Sequence, residues 1–361
     1  MVWMPKYTIT QAILRNLSEI EAIKNYFADK VFSPSLVSSL RQSAKIAQTH
    51  YSTRIEGNRL TLNQVETALY TADKSARSYQ GHDEKEVRAY YEAINYMEKY
   101  LNDGGIFSLA LIKKIHSLIM GSHKIIPYRN AQNAVYDSAD GSIIYLPPET
   151  KDVAKMMRDL AAWVKDNIDK LPPPVVAGLF HYQFVTIHPY FDGNGRTARL
   201  ITSFIMRKSG YDLQGLCILE EYYAKNLSTY YQALMTHPHH NYYFGRNNAD
   251  LTPWLAYFIE GVSQTFADIK AKTAEQVHST KVLPALRNLN LKQKKILGLL
   301  KEFAEITSIQ AGLCLGISPQ SARLLLNKWK GEGFLKIVNT PKKNRTYGLS
   351  DEYEELLFPR G

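Results

Sequence analysis

Twelve consecutive residues gather a base, a carboxylate, a glycine turn and two guanidinium groups: His188-Pro189-Tyr190-Phe191-Asp192-Gly193-Asn194-Gly195-Arg196-Thr197-Ala198-Arg199. Gly193-Asn194-Gly195 lets the backbone take positive φ and leaves N–H groups free where the next helix begins. Such a helix start binds anions, phosphate above all. Arg196 and Arg199 lie three apart, share one face of the first turn, and can fork onto phosphate oxygens. Asp192 is a hard oxygen ligand beside that anion hole, where a Mg²⁺ bridging phosphates would sit. His188 is a titratable base four residues before it. Taken singly, the Gly-Asn-Gly reads as a turn and the histidine as structural. The whole string reads as phosphoryl or nucleotidyl transfer chemistry.

The flanking sequence supplies the frame. Residues 178–187 are apolar enough for a buried helix, and residues 200–206 form a second, ending near Gly210, so the string is a loop between two buried helices. Upstream, residues 8–32 read as a first helix capped by Thr8 or Thr10, and Ser33-Pro34-Ser35 breaks it. A helix over 36–55 follows, with Gly57 as its C-cap and Thr61 with Gln64 as the capping box of the next. Glu56, at the helix end, reads on its own as a solvated acid. Helices are expected over 82–101, over 109–119 behind Ser108, and over 153–164, 175–184, 220–234 and from Asp250 to about 272. Between them, 130–141 is polar and turn-rich, and 142–146 is a short β-like run closed by Pro147-Pro148, together an ordinary surface hairpin by this reading. His237, His239 and His240 share a loop without cysteine or acidic partners and read as solvated rather than metal-binding.

The string resembles the signature of Fic-domain proteins, His-x-Phe-x-Asp/Glu-Gly-Asn-Gly-Arg-x-x-Arg, with Tyr190 in place of the usual Phe. The resemblance spans about 35–265. It implies a mainly α fold: a Fic-type helical core with a small β-hairpin flap. It also implies AMP transfer from ATP to a Ser, Thr or Tyr hydroxyl of a target protein, or of the chain itself, with release of pyrophosphate. In that reading His188 accepts the hydroxyl proton and Asp192 holds Mg²⁺. Backbone N–H groups of Gly193, Asn194 and Gly195 stabilise developing charge. Arg196 holds the polyphosphate and Arg199 the γ-phosphate. Ser52-x-x-x-Glu56-Gly57 matches the family's inhibitory motif, whose Glu competes with the γ-phosphate for the second arginine. The flap around Ile143, Ile144, Tyr145 and Leu146 would clamp a target strand. Asn226 and Tyr230 match an Asn-x-x-x-Tyr-Tyr pattern at the adenosine end, although aromatic pairs there also read as core. Relatives that transfer other phosphate-containing groups, or that remove AMP, keep a bifunctional or de-AMPylating enzyme as the alternative.

Composition bounds the rest. At 361 residues the chain suits two or three domains, and its net charge is +10. Residues 291–350 carry eleven Lys/Arg against three Glu, a net of +8, so the basic excess sits in one short segment. There, helices over 291–302, 306–315 and 320–330 precede strands over 334–338 and 345–349, an order resembling a winged helix-turn-helix. Gln320, Arg323, Asn327 and Lys328 would face DNA, with Lys342, Lys343 and Arg345 on the wing. Docking of protein, or dimerisation, is the equal alternative, and an ATP-sensing DNA-binding regulator is the competing whole-chain reading. The expected boundaries are 1–107 for an N-terminal helical region with its inhibitory helix at about 36–57, 108–272 for the Fic core, and 285–361 for the winged helix. No apolar run reaches the ~20 residues of a membrane span. The start is not a signal peptide, and Cys217 and Cys314 read as buried thiols, so the expected compartment is the cytoplasm. A homodimer is the expected assembly.

Overall fold

The structure is a computed structural model that describes residues 3–28, 34–70, 81–136, 140–278, 289–339 and 345–357. Ser33, Lys342 and Lys343 lie outside the described residues. The chain divides into two units, Met1–Lys270 and Ala271–Gly361. Among the described residues no helix is long and apolar enough to cross a membrane.

The first unit is helical around one core. Its elements are α1 (Gln11–Ala28), α2 (Pro34–Ile55), α3 (Leu62–Tyr70), α4 (His82–Asn102), α5 (Leu109–Ile119), β1 (Val135–Tyr136), β2 (Ile143–Tyr145), α6 (Thr150–Asn167), α7 (Pro173–Ile187), α8 (Asn194–Lys208), α9 (Glu220–Lys225), α10 (Leu227–Leu234) and α11 (Thr252–His278). At the centre lie α7, buried along nearly its whole length, and α8, buried at most positions. An all-round apolar helix must be covered on every side, and α4, α5, α6 and α11 bring Tyr90, Ile94, Ile112, Ile115, Leu160, Trp254 and Phe258 to that cluster. The expected caps form: Ser108 accepts from Leu111 N, and Thr61 and Gln64 exchange their bonds.

One expected helix of this unit is broken. The single helix over 220–234 is two, because Asn226 sits at φ −141°, ψ 68° between α9 and α10. Asparagine readily bonds locally outside a helix, here accepting from Ser228 Oγ at 3.2 Å.

In the second unit α12 (Leu291–Glu302), β3 (Ile306–Thr307), α13 (Ser308–Leu315), α14 (Pro319–Gly331), β4 (Leu335–Asn339), β5 (Thr346–Leu349) and α15 (Asp351–Leu357) surround Ile296, Leu326, Trp329 and Tyr347. Residues 306–307, expected to open a helix, instead pair with β5 in an antiparallel sheet of order β3-β5-β4. The helix starts two residues later, at Ser308, because Thr307 and Gln310 form a capping box. Gly316 at φ 67° ends α13 and Pro319 opens α14.

Candidate active site

The end of α7 sets the first functional group. His188 caps the helix in a left-handed backbone, φ 51° and ψ 59°, with its N–H on Phe184 O at 3.1 Å. That conformation costs a non-glycine residue about 1 kcal/mol or more, and Arg129 steadies it by donating from Nε to His188 O at 2.9 Å. Burial lowers the imidazole to about 4, a hydrogen bond to the Val185 backbone opposing this and the Arg129 charge reinforcing it. At neutral pH His188 is therefore unprotonated and able to accept a proton.

The loop that follows is tightly held. Gly193 adopts φ 74°, and a Cβ there would meet Met120 Sδ at 2.8 Å, so both backbone and space require glycine. Its N–H is taken by Asp192 Oδ1. The Asn194 side chain braces the loop: Oδ1 accepts from Tyr190 N at 3.0 Å and Nδ2 donates to Tyr190 O at 2.9 Å. The first intrahelical bond of α8 runs from Thr197 N to Gly193 O at 3.0 Å. The N–H groups of Asn194, Gly195 and Arg196 thus form the anion-facing end of the helix. Tyr190 packs as an aromatic anchor, stacked on His116 with centroids 3.4 Å apart, but its buried hydroxyl has no hydrogen-bond partner among the described residues.

Each signature arginine meets an acid. Arg199, its side chain 1% exposed, donates from Nε to Ser52 Oγ at 2.9 Å and from Nη2 to Ser52 O at 2.8 Å and Glu56 Oε1 at 2.7 Å. Burial works against the Arg199 charge, and Glu56, with Tyr230 and Tyr90, overrides it and raises the guanidinium further. A Cβ on Gly195 would collide with Glu56 Oε1, so the carboxylate lies against the helix start itself. Arg196 pairs with Glu86 and donates from Nη2 to Asp192 Oδ1 at 3.0 Å. Glu86 in turn accepts from Asn58 Nδ2 at 2.7 Å, two residues past Glu56. Glu86 and Asn58 escaped the sequence reading. The only available signal was a polar residue on the inward face of an amphipathic helix.

A cavity of about 560 Å³ joins these groups, lined by Glu56, His188, Gly195, Arg199, Tyr230 and Tyr231 among others, with flap residues on its other wall. Tyr230 lines it, but its hydroxyl bonds His181 Nε2 at 2.9 Å. Asn226 does not line it and is exposed at the α9–α10 break. Gly57, at φ 101°, makes the turn after α2. The flap forms as β1 against antiparallel β2. Leu146, expected to take an added strand, is already bridged: its N–H donates to His240 O and its carbonyl accepts from Tyr242 N, each 3.0 Å. Tyr145 is buried with its hydroxyl on Thr186 O at 2.6 Å. Of the expected docking strand, Ile143 and Ile144 remain.

Asp192, whose side chain is 63% exposed, is the carboxylate at the helix start. Among the described residues no group of three or more His, Cys, Asp or Glu gathers around a point. One carboxylate beside a phosphate site fits Mg²⁺, which keeps several waters and takes substrate phosphates as ligands.

Residues 106–206 match the family model described as Fic/DOC family. A curated relative from Nematostella vectensis, "Protein adenylyltransferase Fic", is 31% identical over 196 residues, 51% of this chain and 43% of that protein. One of the same name from Aedes aegypti is 26% identical over 248 residues, 67% of this chain and 45% of that protein. The chain thus spans less than half the length of these relatives. Two solved structures share the fold. A Fic family protein from Desulfovibrio desulfuricans G20 has a TM-score of 0.64 at 22% identity, covering 97% of this chain and 99% of that one. Fic-1 (aa134–508) from C. elegans has a TM-score of 0.57 at 22% identity, covering 73% of each.

Proposed function

We propose that this Fic-domain protein is a protein adenylyltransferase that moves AMP from ATP to a protein hydroxyl and is held back by Glu56. The observation that carries the reading is the meeting, in one cavity, of the neutral base His188, the open N-terminal end of α8, and Arg199 occupied by Glu56. The acceptor oxygen attacks the α-phosphorus, its proton passes to His188, and the bond to pyrophosphate breaks. N–H groups at the start of α8 receive the charge that develops. Arg196 and Arg199 take the polyphosphate, which requires Glu56 to leave Arg199. Asp192 would hold Mg²⁺, whose chemistry is to neutralise phosphate charge. The names of the relatives support ATP as the donor. The acceptor would lie along Ile143 and Ile144, as a strand added to the flap.

A second reading follows from the placement of Glu56. Its side chain is 27% exposed and lines the cavity with His188, so it could orient water for removal of AMP, which would make the enzyme bifunctional. The second unit would be a winged helix that binds DNA, supported by the exposure of Gln320, Arg323 and Lys328 on α14. The test is incubation of wild type, Glu56→Gly and His188→Ala with Mg²⁺ and α-labelled ATP. Label strongest in Glu56→Gly and absent from His188→Ala is the expected result. No label in any variant that still binds ATP would overturn AMP transfer.

A further inference from the structure

We infer that Arg129 is a positioning residue that ties the β flap to His188, so that docking on the flap and placement of the base are coupled through one guanidinium. The inference rests on reading His188 as the base. Arg129 is buried, and its contacts are to neutral oxygens. Nε donates to His188 O at 2.9 Å, Nη1 to Ala131 O at 3.2 Å and Thr150 Oγ1 at 3.1 Å, and Nη2 to Pro148 O. The Arg129 backbone N–H reaches Pro189 O at 2.9 Å. Ala131 is the stem entering the flap and Pro148 the stem leaving it. Gln132 Nε2 closes the pair on Pro147 O at 2.9 Å. Both stems, the first turn of α6 and the end of α7 therefore converge on one side chain.

Only a planar group with five donors can serve so many acceptors at once; lysine has three donors on a single nitrogen. A charged donor also makes each of these bonds stronger than a neutral one. The acceptor that matters most is the carbonyl of His188, because that residue sits in the left-handed region and has a more comfortable backbone to relax into. Without the guanidinium, the flap stems would be freed and His188 would relax in the same event. Conversely, a strand added to the flap pulls on stems that share their anchor with the base. Arg129 thus acts on the reaction through His188 and does not itself line the cavity.

The test uses the full chain in the Glu56→Gly background and compares Arg129→Met with its parent. Self-labelling from α-labelled ATP is followed at saturating nucleotide, ADP binding by calorimetry, and backbone hydrogen exchange at the flap stems and at His188 and Tyr190. A displaced base predicts a rate lower by about 100-fold with the ADP Kd within about threefold. Exchange should quicken at the stems and around His188 together. A rate within about threefold of the parent despite faster stem exchange would overturn the coupling, as would equal losses in rate and ADP affinity. If Arg129→Met melts below the assay temperature, Arg129→Lys carries the same comparison with an expected loss of about tenfold. A parent that takes up no label would sink the AMP-transfer reading instead. Exchange would still decide for Arg129, since quickening at only one of the two places overturns the link.

Discussion

At the scale of single residues, the site is a contest for charge. In the proposed reading Glu56 and a γ-phosphate compete for the same Arg199 guanidinium, so removing Glu56 should release activity. A gain of about 100-fold in self-labelling for Glu56→Gly would equal about 2.7 kcal/mol of coupling; unchanged label would remove the inhibitory role. Burial lowers His188 to about 4, as it does His116, while His181 falls to about 3. Two outcomes follow. The acid limb of kcat/KM should lie near pH 4, not 6.5, measured on Glu56→Gly with ATP. The fold should also lose stability in acid. Between pH 6.5 and 4 the unfolded chain binds protons on these histidines that the folded chain refuses. Stability is thus full above about 6.5 and drains as pH falls towards 4, which a series of Tm values across that window would reveal. Tyr190→Phe tests the buried hydroxyl: it should stabilise the protein by about 1 kcal/mol in chemical denaturation with labelling unchanged. The catalytic string was legible because its chemistry is contiguous. The use of the Asn194 side chain as a loop brace was not, because an amide suits a ligand and a brace equally.

Among the elements, the end of α2 is fixed by more than Glu56. Just beyond α2, Asn58 is buried, its amide donating to Glu86 and to Asp83 O at 2.9 Å while its Oδ1 accepts from Leu60 N at 3.1 Å. The same Glu86 holds Arg196, so α4 touches both the turn after Glu56 and the first signature arginine. Asn58→Ala should therefore loosen the turn without removing the acid. The expected gain in self-labelling is about tenfold, smaller than for Glu56→Gly, with a loss of roughly 1–2 kcal/mol in denaturant unfolding. Label equal to wild type would mean that Glu56 keeps its place unaided. Sequence periodicity found α2 and α4 but not this link, since the partners lie 28 residues apart and neither is apolar. The break at Asn226 was missed for a related reason: the apolar period runs on through it, and only a local side-chain bond interrupts the backbone.

For the whole molecule, charge asymmetry was the clearest signal in the sequence, and the second unit gives it a surface. Gln320, Arg323 and Lys328 are exposed on α14, whereas Asn327, expected beside them, turns to Tyr347, whose hydroxyl donates to its Oδ1 at 2.9 Å. A direction of a side chain around a helix needs the sheet beneath it, which composition cannot supply. The unit also exposes Leu324 on α14 at 69% and Leu313 on α13 at 81%, so phosphate contact and apolar docking make opposite claims on it. Salt separates them. If the unit binds duplex DNA, log K falls steeply with log salt, and Arg323→Ala lowers affinity and reduces the slope by about 0.9, one phosphate contact. Apolar docking has almost no such slope, and Leu324→Ala would cost more than Arg323→Ala. We expect the first outcome for the full chain on mixed-sequence duplex, because net charge of +8 over 291–350 gives an electrostatic term that two exposed leucines do not match. Binding that is flat in salt and lost in Leu324→Ala would assign the unit to a protein partner instead.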